Sequence, residues 1–425
     1  MDTTENFGAA AKAASTQLPT LSAEQRIAAL EAAIAGLQAN AAEIFAANET
    51  DLANAKAAGL DAPLLKRLKF DQAKLDDCIG GIKMLCQLPD LVGKTLKTTE
   101  LAPELILSQV SCPLGVVGII FESRPDALVQ ISTLCIKSAN ACVLKGGIEA
   151  LNTNTALHKV LVEATKRILP DGWLQLIATR DDVKKLLTMD KYVDLIIPRG
   201  SNSFVQYVMN NTQIPVMGHA DGICHIYVDK AADSDLATKV SVDSKCQYPA
   251  VCNAVETILV HESIAAEYLP KLKAGLDEKH ATLRGCEKCQ AIIDCDPATT
   301  EDWETEYLDY IVSVKIVSDM EEAIAHINEY GSGHTDCIIT ADTATAELFM
   351  NRVDSADVFW NCSTRFADGF RFGLGAEVGI STSKIHARGP VGVEGLLTYK
   401  WKLRGNGHTV APFANGEAAF THKPL

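Results

Sequence analysis

From Gly115 onward the chain alternates short apolar runs with helical ones, and this limits the fold more than any other feature. The strand candidates are Val116–Phe121, Ala141–Leu144, Leu174–Ile177, Leu195–Ile197 and Ile226–Val228, with helical stretches such as Ala127–Ser138 and Thr155–Ile168 between them. Strands that are apolar on both sides need cover on both faces, so the pattern predicts a parallel sheet between layers of helix. A second α/β stretch follows from about residue 241, with strands at Thr257–His261 and Ser313–Val317. Ahead of the alternation, the first ninety or so residues are Ala-rich and helical in pattern. Ser22 and Gln25 form a capping-box pair, and Ile27, Leu30, Ile34 and Leu37 recur at helical spacing. A further helix runs through Leu75 and Ile82 to Leu85 and ends at Pro89. Leu96–Leu101 and Leu105–Val110, separated by Ala-Pro, predict a β-hairpin, and the tail from Leu396 reads as a strand followed by polar, Gly-containing sequence.

A chain of 425 residues exceeds what one compact core holds, so two or three domains are expected. With 47% hydrophobic and 22% charged residues it has the composition of a packed globular protein. A net charge of −15 argues against general binding of nucleic acid or anionic membranes, which needs clustered positive charge, but leaves room for one small anion. No apolar run is long enough to span a bilayer, and the acidic N-terminus lacks the basic start and apolar stretch of a signal peptide. Thirteen cysteines without regular spacing suggest reduced thiols, so a cytoplasmic location is expected.

Four segments could carry chemistry. In Phe121-Glu-Ser-Arg-Pro-Asp126 a strand gives way to a helix, and Ser123 and Arg124 fall at the strand's carboxyl end, where α/β sheets collect ligands. A capped turn with a surface arginine explains them equally well. Lys145-Gly146-Gly147 pairs a positive charge with glycines that admit a ligand to the backbone, though it is neither a dinucleotide fingerprint nor a P-loop, and an ordinary turn would look the same. Leu195-Ile-Ile-Pro-Arg199-Gly200-Ser201 runs into a helix whose free N–H groups could hold a phosphate. Cys252 sits between a helical stretch and a strand beginning near Glu256, a junction from which a thiolate could attack an acyl carbonyl. Most free cysteines are small buried hydrophobes, so position alone does not select Cys252 among thirteen.

Other features invite over-reading. Cys286-Glu-Lys-Cys289 has metal-ligand spacing, with Cys295 and His280 nearby, but the second ligand pair is ragged. A surface helix with incidental thiols is the better expectation, and no resident metal is expected. His219, Asp221 and His225 form a polar cluster that could face a substrate or close a hydrogen-bonded loop. Asn361-Cys-Ser-Thr-Arg365 follows a strand-like Val358–Trp360. Gly373–Thr382 is too glycine-rich for a regular element and should be a loop packed on a ligand or another subunit.

Taken together, these segments resemble the γ-glutamyl phosphate reductases, a family within the aldehyde dehydrogenase superfamily. The resemblance runs to about residue 405. It rests on Phe121–Asp126, Leu144–Gly147, Ile197–Gly200, Pro215–His219, Val251–Ala254 with Glu256 and Thr257, Tyr330–Asp336, Asn361 with Ser363–Arg365, and Gly375–Thr382 leading to His386–Pro390. It implies an aldehyde dehydrogenase-like α/β fold: two α/β domains and a β-flap that serves oligomerisation. An NADPH-binding domain would comprise residues 1–95 and 112–240, a catalytic domain 241–393, and the flap and tail 96–111 and 394–425. It assigns Cys252 as nucleophile, Lys145 and Gly146 to the adenosine ribose and its 2′-phosphate, Gly200 and Ser201 to the pyrophosphate, and Glu306 to the nicotinamide ribose.

The family's reaction is NADPH-dependent reduction of L-glutamyl 5-phosphate to L-glutamate 5-semialdehyde in proline synthesis, through a cysteine thioester. Relatives that oxidise aldehydes carry a glutamate general base near the position of Gly218 or His219 here, and its absence fits a reaction without hydrolysis. Ser123 stands where those relatives have an oxyanion-binding asparagine, so part of that role would pass to the Cys252 backbone N–H, and Asn253 joins the catalytic set. Arg124, Arg199, His219, Arg365 and Arg388 are expected to bind the phosphate and the α-carboxylate. Homo-oligomerisation and handover from glutamate 5-kinase are implied by the family, and with no kinase domain ahead of the reductase a stand-alone enzyme is expected. Two other readings stay open: an NAD-linked oxidising aldehyde dehydrogenase, and a non-catalytic nucleotide-binding or thiol-sensing protein with the same fold.

Overall fold

The computed structural model describes residues 3–122, 124–219, 221–384 and 387–425. Five helices come first: Thr3–Gln17, Ala23–Ala39, Ala41–Ala57, Ala62–Leu68 and Gln72–Gln87. The expected capping box is present, with the Gln25 N–H donating to Ser22 Oγ at 3.3 Å and the Ser22 N–H to Gln25 Oε1 at 2.8 Å. Leu30 and Leu37 are buried where Ala23–Ala39 packs on the helix Leu151–Thr165, and Leu75 and Ile82 where Gln72–Gln87 packs on the helix Pro125–Ser138.

The predicted hairpin is β1 (Thr95–Ala102) and β2 (Leu105–Pro113). Next come β3 (Val116–Phe121), β4 (Ala141–Lys145), β5 (Leu174–Ile177) and β6 (Leu195–Arg199), all parallel in the order β5-β4-β3-β6. The helices Pro125–Ser138 and Leu151–Thr165 fall within about four residues of their predicted ends.

A second parallel sheet holds β7 (Cys224–Val228), β8 (Val255–His261), β9 (Thr282–Gly285), β10 (Asp296–Pro297), β11 (Ile311–Val317), β12 (Thr335–Ile339) and β13 (Asp357–Trp360) in the order β10-β9-β11-β8-β7-β12-β13. Its two faces pack separate cores, one around Ile226, Val260 and Tyr268 and the other around Tyr227, Leu259 and Phe349. The changeover between sheets therefore comes before β7 and ahead of residue 240. β7 looked like part of the first sheet because a buried strand carries no mark of which sheet it joins.

Two further expectations need correction. Gly373–Thr382 is not wholly irregular: β14 (Gly379–Ser381) pairs with β15 (Gly389–Val391), and Gly375 packs on Leu85 and Leu88. The thiols of 286–289 do not ride on a surface helix, because Cys289 is buried in the second core and Cys286 is half-buried beside it. The tail supplies β16 (Leu397–Arg404), which pairs with β2, and β17 (Lys423–Pro424), which lies on the outer edge of β1. Asn140 fixes the root of this flap: its Oδ1 accepts from the Gly115 N–H and its Nδ2 donates to the Leu396 carbonyl, both at 2.8 Å. Among the described residues no helix is long and apolar enough to cross a membrane.

Candidate active site

The order β8-β7-β12 brings three connecting loops side by side at the amino ends of these strands. Cys252 lies just before β8, His219 and Gly222 precede β7, and His334 precedes β12. Ligand atoms of Cys252, His219 and His334 all lie within 4.8 Å of one another. The first sheet contributes its carboxyl edge, with Lys145 ending β4 and Arg199 ending β6. The Pro198 carbonyl lies near Gly218, so this edge meets the loop of His219. A cleft between the carboxyl edge of one sheet and the amino edge of another combines two kinds of loop: the first ends in helix N-termini of the kind that hold phosphate, the second carries Cys252.

Close packing sets the position of Cys252. A Cβ at Gly222 would lie 2.2 Å from the Cys252 carbonyl oxygen and 2.4 Å from its Cα, so only glycine admits this approach. The Cys224 thiol donates to the same carbonyl at 3.2 Å. Cys252 itself is half-buried.

Each imidazole is anchored through Nδ1. In His219 it is 2.9 Å from the Ile380 carbonyl, which can only accept, so this nitrogen carries the proton and Nε2 keeps a lone pair. His334 is fully buried, with Nδ1 2.8 Å from Thr335 Oγ1 and Nε2 without a hydrogen-bond partner. The rings meet edge to face at 4.9 Å. His219 was expected at the site. His334 was seen only as part of Tyr330–Asp336 and given no role, since nothing local marks it beyond a polar Gly-Ser-Gly-His run before an apolar strand.

Two of the four arginines lie within electrostatic reach of the Cys252 thiol. Arg199 is half-buried, one of its guanidinium nitrogens is shut off from solvent without a partner, and burial lowers its pKa, with Arg124 adding to the effect. Arg365 donates to Gln247 Oε1 at 3.0 Å and is also lowered by burial, with the neighbouring Arg371 adding to it. Such buried cations call for an anion. Arg124 is farther out and pairs with Asp126 at 3.5 Å. Arg388 pairs with Asp354 and lines an open cavity of about 410 Å³ next to Gly333, the residue before His334.

Asn253 is buried, and its amide donates to the Ala367 carbonyl at 2.7 Å, so it ties down the loop behind the nucleophile. Glu306 lies by His219 and Asp221, accepts from the Gly222 backbone, and has its pKa raised by burial. Beneath it Lys245 and Glu256 form an ion pair of 2.5 Å with no exposure of either side chain. Burial outweighs Lys245 and pushes the Glu256 carboxyl up to about 8. The expected trio of His219, Asp221 and His225 does not form: His225 is inside β7, bonded to Asp336 at 2.9 Å. Ser123 lies outside the described residues.

The residues expected at a nucleotide are compatible with a phosphate. The helix Asn202–Asn210 begins at Ser201 with no side-chain cap, which leaves its first N–H groups for a phosphate. A Cβ at Gly200 would come within 3.0 Å of Phe204 and 3.2 Å of Glu122, so the turn is as close as it can be. Lys145 is near Glu122, whose pKa is raised by burial and by Glu149.

The chain matches the family described as aldehyde dehydrogenase over residues 2–283 and 293–400. It is 59% identical over 415 residues to a γ-glutamyl phosphate reductase of Acetivibrio thermocellus, covering 97% of this chain and 96% of that one. A second such reductase, from Synechocystis sp., is 53% identical over 417 residues, covering 98% and 96%. The crystal structure of the Thermotoga maritima γ-glutamyl phosphate reductase superposes with a TM-score of 0.94 at 37% identity, over 96% of this chain and all of that one. With the aldehyde dehydrogenase fold, a half-buried cysteine between two imidazoles, and a nicotinamide cofactor implied by the family, the chain belongs to the γ-glutamyl phosphate reductases of the aldehyde dehydrogenase superfamily.

Proposed function

We propose that this enzyme reduces L-glutamyl 5-phosphate to L-glutamate 5-semialdehyde with NADPH, in the cytoplasm, as a step of proline synthesis. The observation that carries the reading is the set around Cys252: a thiol within 4.8 Å of His219 and His334 ring nitrogens, with the guanidinium groups of half-buried Arg199 and buried Arg365 nearby. Cationic groups beside a thiol suit an anionic acyl donor whose leaving group is phosphate.

The thiol of Cys252 loses its proton to Nε2 of His219, the nitrogen left basic by the Ile380 carbonyl. The thiolate attacks the acyl carbon, and the tetrahedral oxyanion draws on backbone N–H donors near Cys252. Its collapse breaks the C–O bond to phosphate, which takes the proton held by His219 and departs as the dianion beside the arginines, leaving a thioester on Cys252. When bound, the nicotinamide cofactor supplies the hydride that reduces this thioester. His219 or His334, recharged with a proton from solvent, protonates the resulting oxygen and takes the proton back as the C–S bond of the thiohemiacetal breaks, releasing the aldehyde and the Cys252 thiolate. Arg124 and Arg388, farther from the thiol, are candidates for the α-carboxylate, and Asn253 acts by positioning the loop of Cys252.

The cofactor would be held by Lys145 and Gly146 at the 2′-phosphate and ribose, by Gly200, Ser201 and the helix they open at the pyrophosphate, and by Glu306 at the nicotinamide ribose. Residues 1–95 with 112 to the stretch before β7 form the cofactor domain in this reading, and the second sheet forms the catalytic domain. The flap supports homo-oligomer formation, because Tyr399, Trp401 and Leu403 form one exposed row along β16. Receipt of the labile acyl phosphate from glutamate 5-kinase fits the same reading.

The test runs the reaction in reverse: NADP⁺ reduction with glutamate 5-semialdehyde, with and without phosphate, on the unaltered enzyme and Cys252→Ala. Reduction that requires phosphate and disappears in the variant supports the proposal. Reduction without phosphate would mean an oxidising aldehyde dehydrogenase, and none in the unaltered enzyme would favour a binding protein.

A further inference from the structure

We infer that His219, Cys252 and His334 form a three-ligand site for zinc, and that the ion switches the enzyme off by occupying its nucleophile. This goes beyond the proposed reaction, which uses no metal, and it needs only the three side chains.

The donor set is two imidazoles and a thiolate, the combination zinc prefers, and it leaves the fourth tetrahedral position to water from the cleft. Bonds of about 2.0–2.3 Å put tetrahedral donors roughly 3.5 Å apart. The three ligand atoms already lie within 4.8 Å of one another, so small side-chain rotations close the site. The surroundings resemble those of a metal ligand shell. A ligating histidine typically gives its other ring nitrogen to a carbonyl or hydroxyl, which fixes the ring and frees one lone pair. His219 does this with the Ile380 carbonyl at 2.9 Å, and His334 has Thr335 Oγ1 at 2.8 Å. His334 Nε2 is fully buried and has no hydrogen-bond partner, a cost that a bound cation would remove.

The rest of the site keeps the metal inhibitory. The nucleophile is the only sulfur ligand, so a bound ion holds the lone pair that must attack the substrate. Binding is then mutually exclusive with acylation, and a chelator reverses it. Cys286 and Cys289, with sulfurs 3.6 Å apart, are the competing place for a soft cation and serve as the control.

The probe is Co²⁺, a spectroscopic stand-in for Zn²⁺, added to the reduced full-length enzyme without substrate. One equivalent should give tetrahedral visible bands and a thiolate-to-cobalt charge-transfer band, both displaced by Zn²⁺. Cys252→Ser should abolish the charge-transfer band, His334→Gln should weaken Co²⁺ binding at least tenfold, and Cys286→Ser/Cys289→Ser should change neither. On the unaltered enzyme, Zn²⁺ should slow iodoacetamide alkylation of Cys252 at least tenfold, and EDTA should restore it. The inference is overturned if the charge-transfer band survives in Cys252→Ser, if it is lost in Cys286→Ser/Cys289→Ser, or if Zn²⁺ leaves Cys252 alkylation unchanged. None of these readouts uses turnover, so they fail or succeed independently of the proposed reaction.

Discussion

Gly222 lies directly against the backbone of Cys252: a methyl group on its Cα would fall 2.2 Å from the Cys252 carbonyl oxygen and 2.6 Å from its Cβ. The loop before β7 thus sets the height of the nucleophile in the cleft. Gly222→Ala should displace Cys252 and lower kcat by about 10²-fold, the scale of an ångström's misplacement. Steady-state kinetics and circular dichroism together check this, and a folded variant with unchanged kcat would contradict it.

The Lys245–Glu256 pair lies wholly buried near the site, with both side chains at 0% exposure. Lys245→Met should cost about 1–3 kcal/mol at neutral pH because it leaves the buried Glu256 carboxyl, protonated there, without its partner, whereas adding Glu256→Leu should recover most of the loss. Urea denaturation of the single and double variants measures both values.

Asp357 opens β13, and burial, opposed by Thr335 and Arg388, raises its carboxyl to about 6 from an ordinary 3.8. The folded state therefore keeps a proton that the unfolded chain releases. The stabilising contribution is full below about pH 4, declines up to about pH 6, and is absent above that, for a total of about 3 kcal/mol. The urea midpoint of the unaltered enzyme should fall over this range relative to Asp357→Asn.

Along β16, Tyr399, Trp401 and Leu403 are 51%, 53% and 56% exposed, and Lys400, Lys402 and Arg404 alternate with them on the other face. The proposed homo-oligomer predicts that Trp401→Glu weakens self-association by about 2 kcal/mol or more, the usual loss at a central aromatic contact. Sedimentation velocity would show a smaller species at micromolar protein, with secondary structure unchanged.

The four strands of the first sheet, and β7, β8, β11 and most of β13, were legible because strands buried on two faces are written as continuous apolar runs. Thr282–Gly285, Asp296–Pro297 and Thr335–Ile339 are too short or too polar to stand out, whereas Ser22 and Pro89 punctuate the helix ends. Assignment of β7 to its sheet was not legible, since pairing between Cys224–Val228 and Val255–His261 is decided by tertiary contacts. At the site, Cys252, His219 and Gly200 stood out through resemblance and turn chemistry. His334 did not, because its meaning comes from a neighbour 82 residues back along the chain, Cys252, and from β7 lying between their strands. Gly222 was passed over for the same reason: a glycine in a loop looks permissive until the backbone it touches is known.

The last residues of the tail matter in a way unrelated to catalysis. β17 and its flanks bond the backbone of β1 at Thr98 and Leu101, so the middle of one border of the four-stranded sheet is covered by a two-residue strand, whereas β16 keeps a long open row of peptide groups on the other. Joining of like sheets, edge to edge, is then obstructed beyond a single joint. The chain can display a hydrophobic ribbon to a partner and still resist the endless strand-upon-strand stacking that leads to fibres.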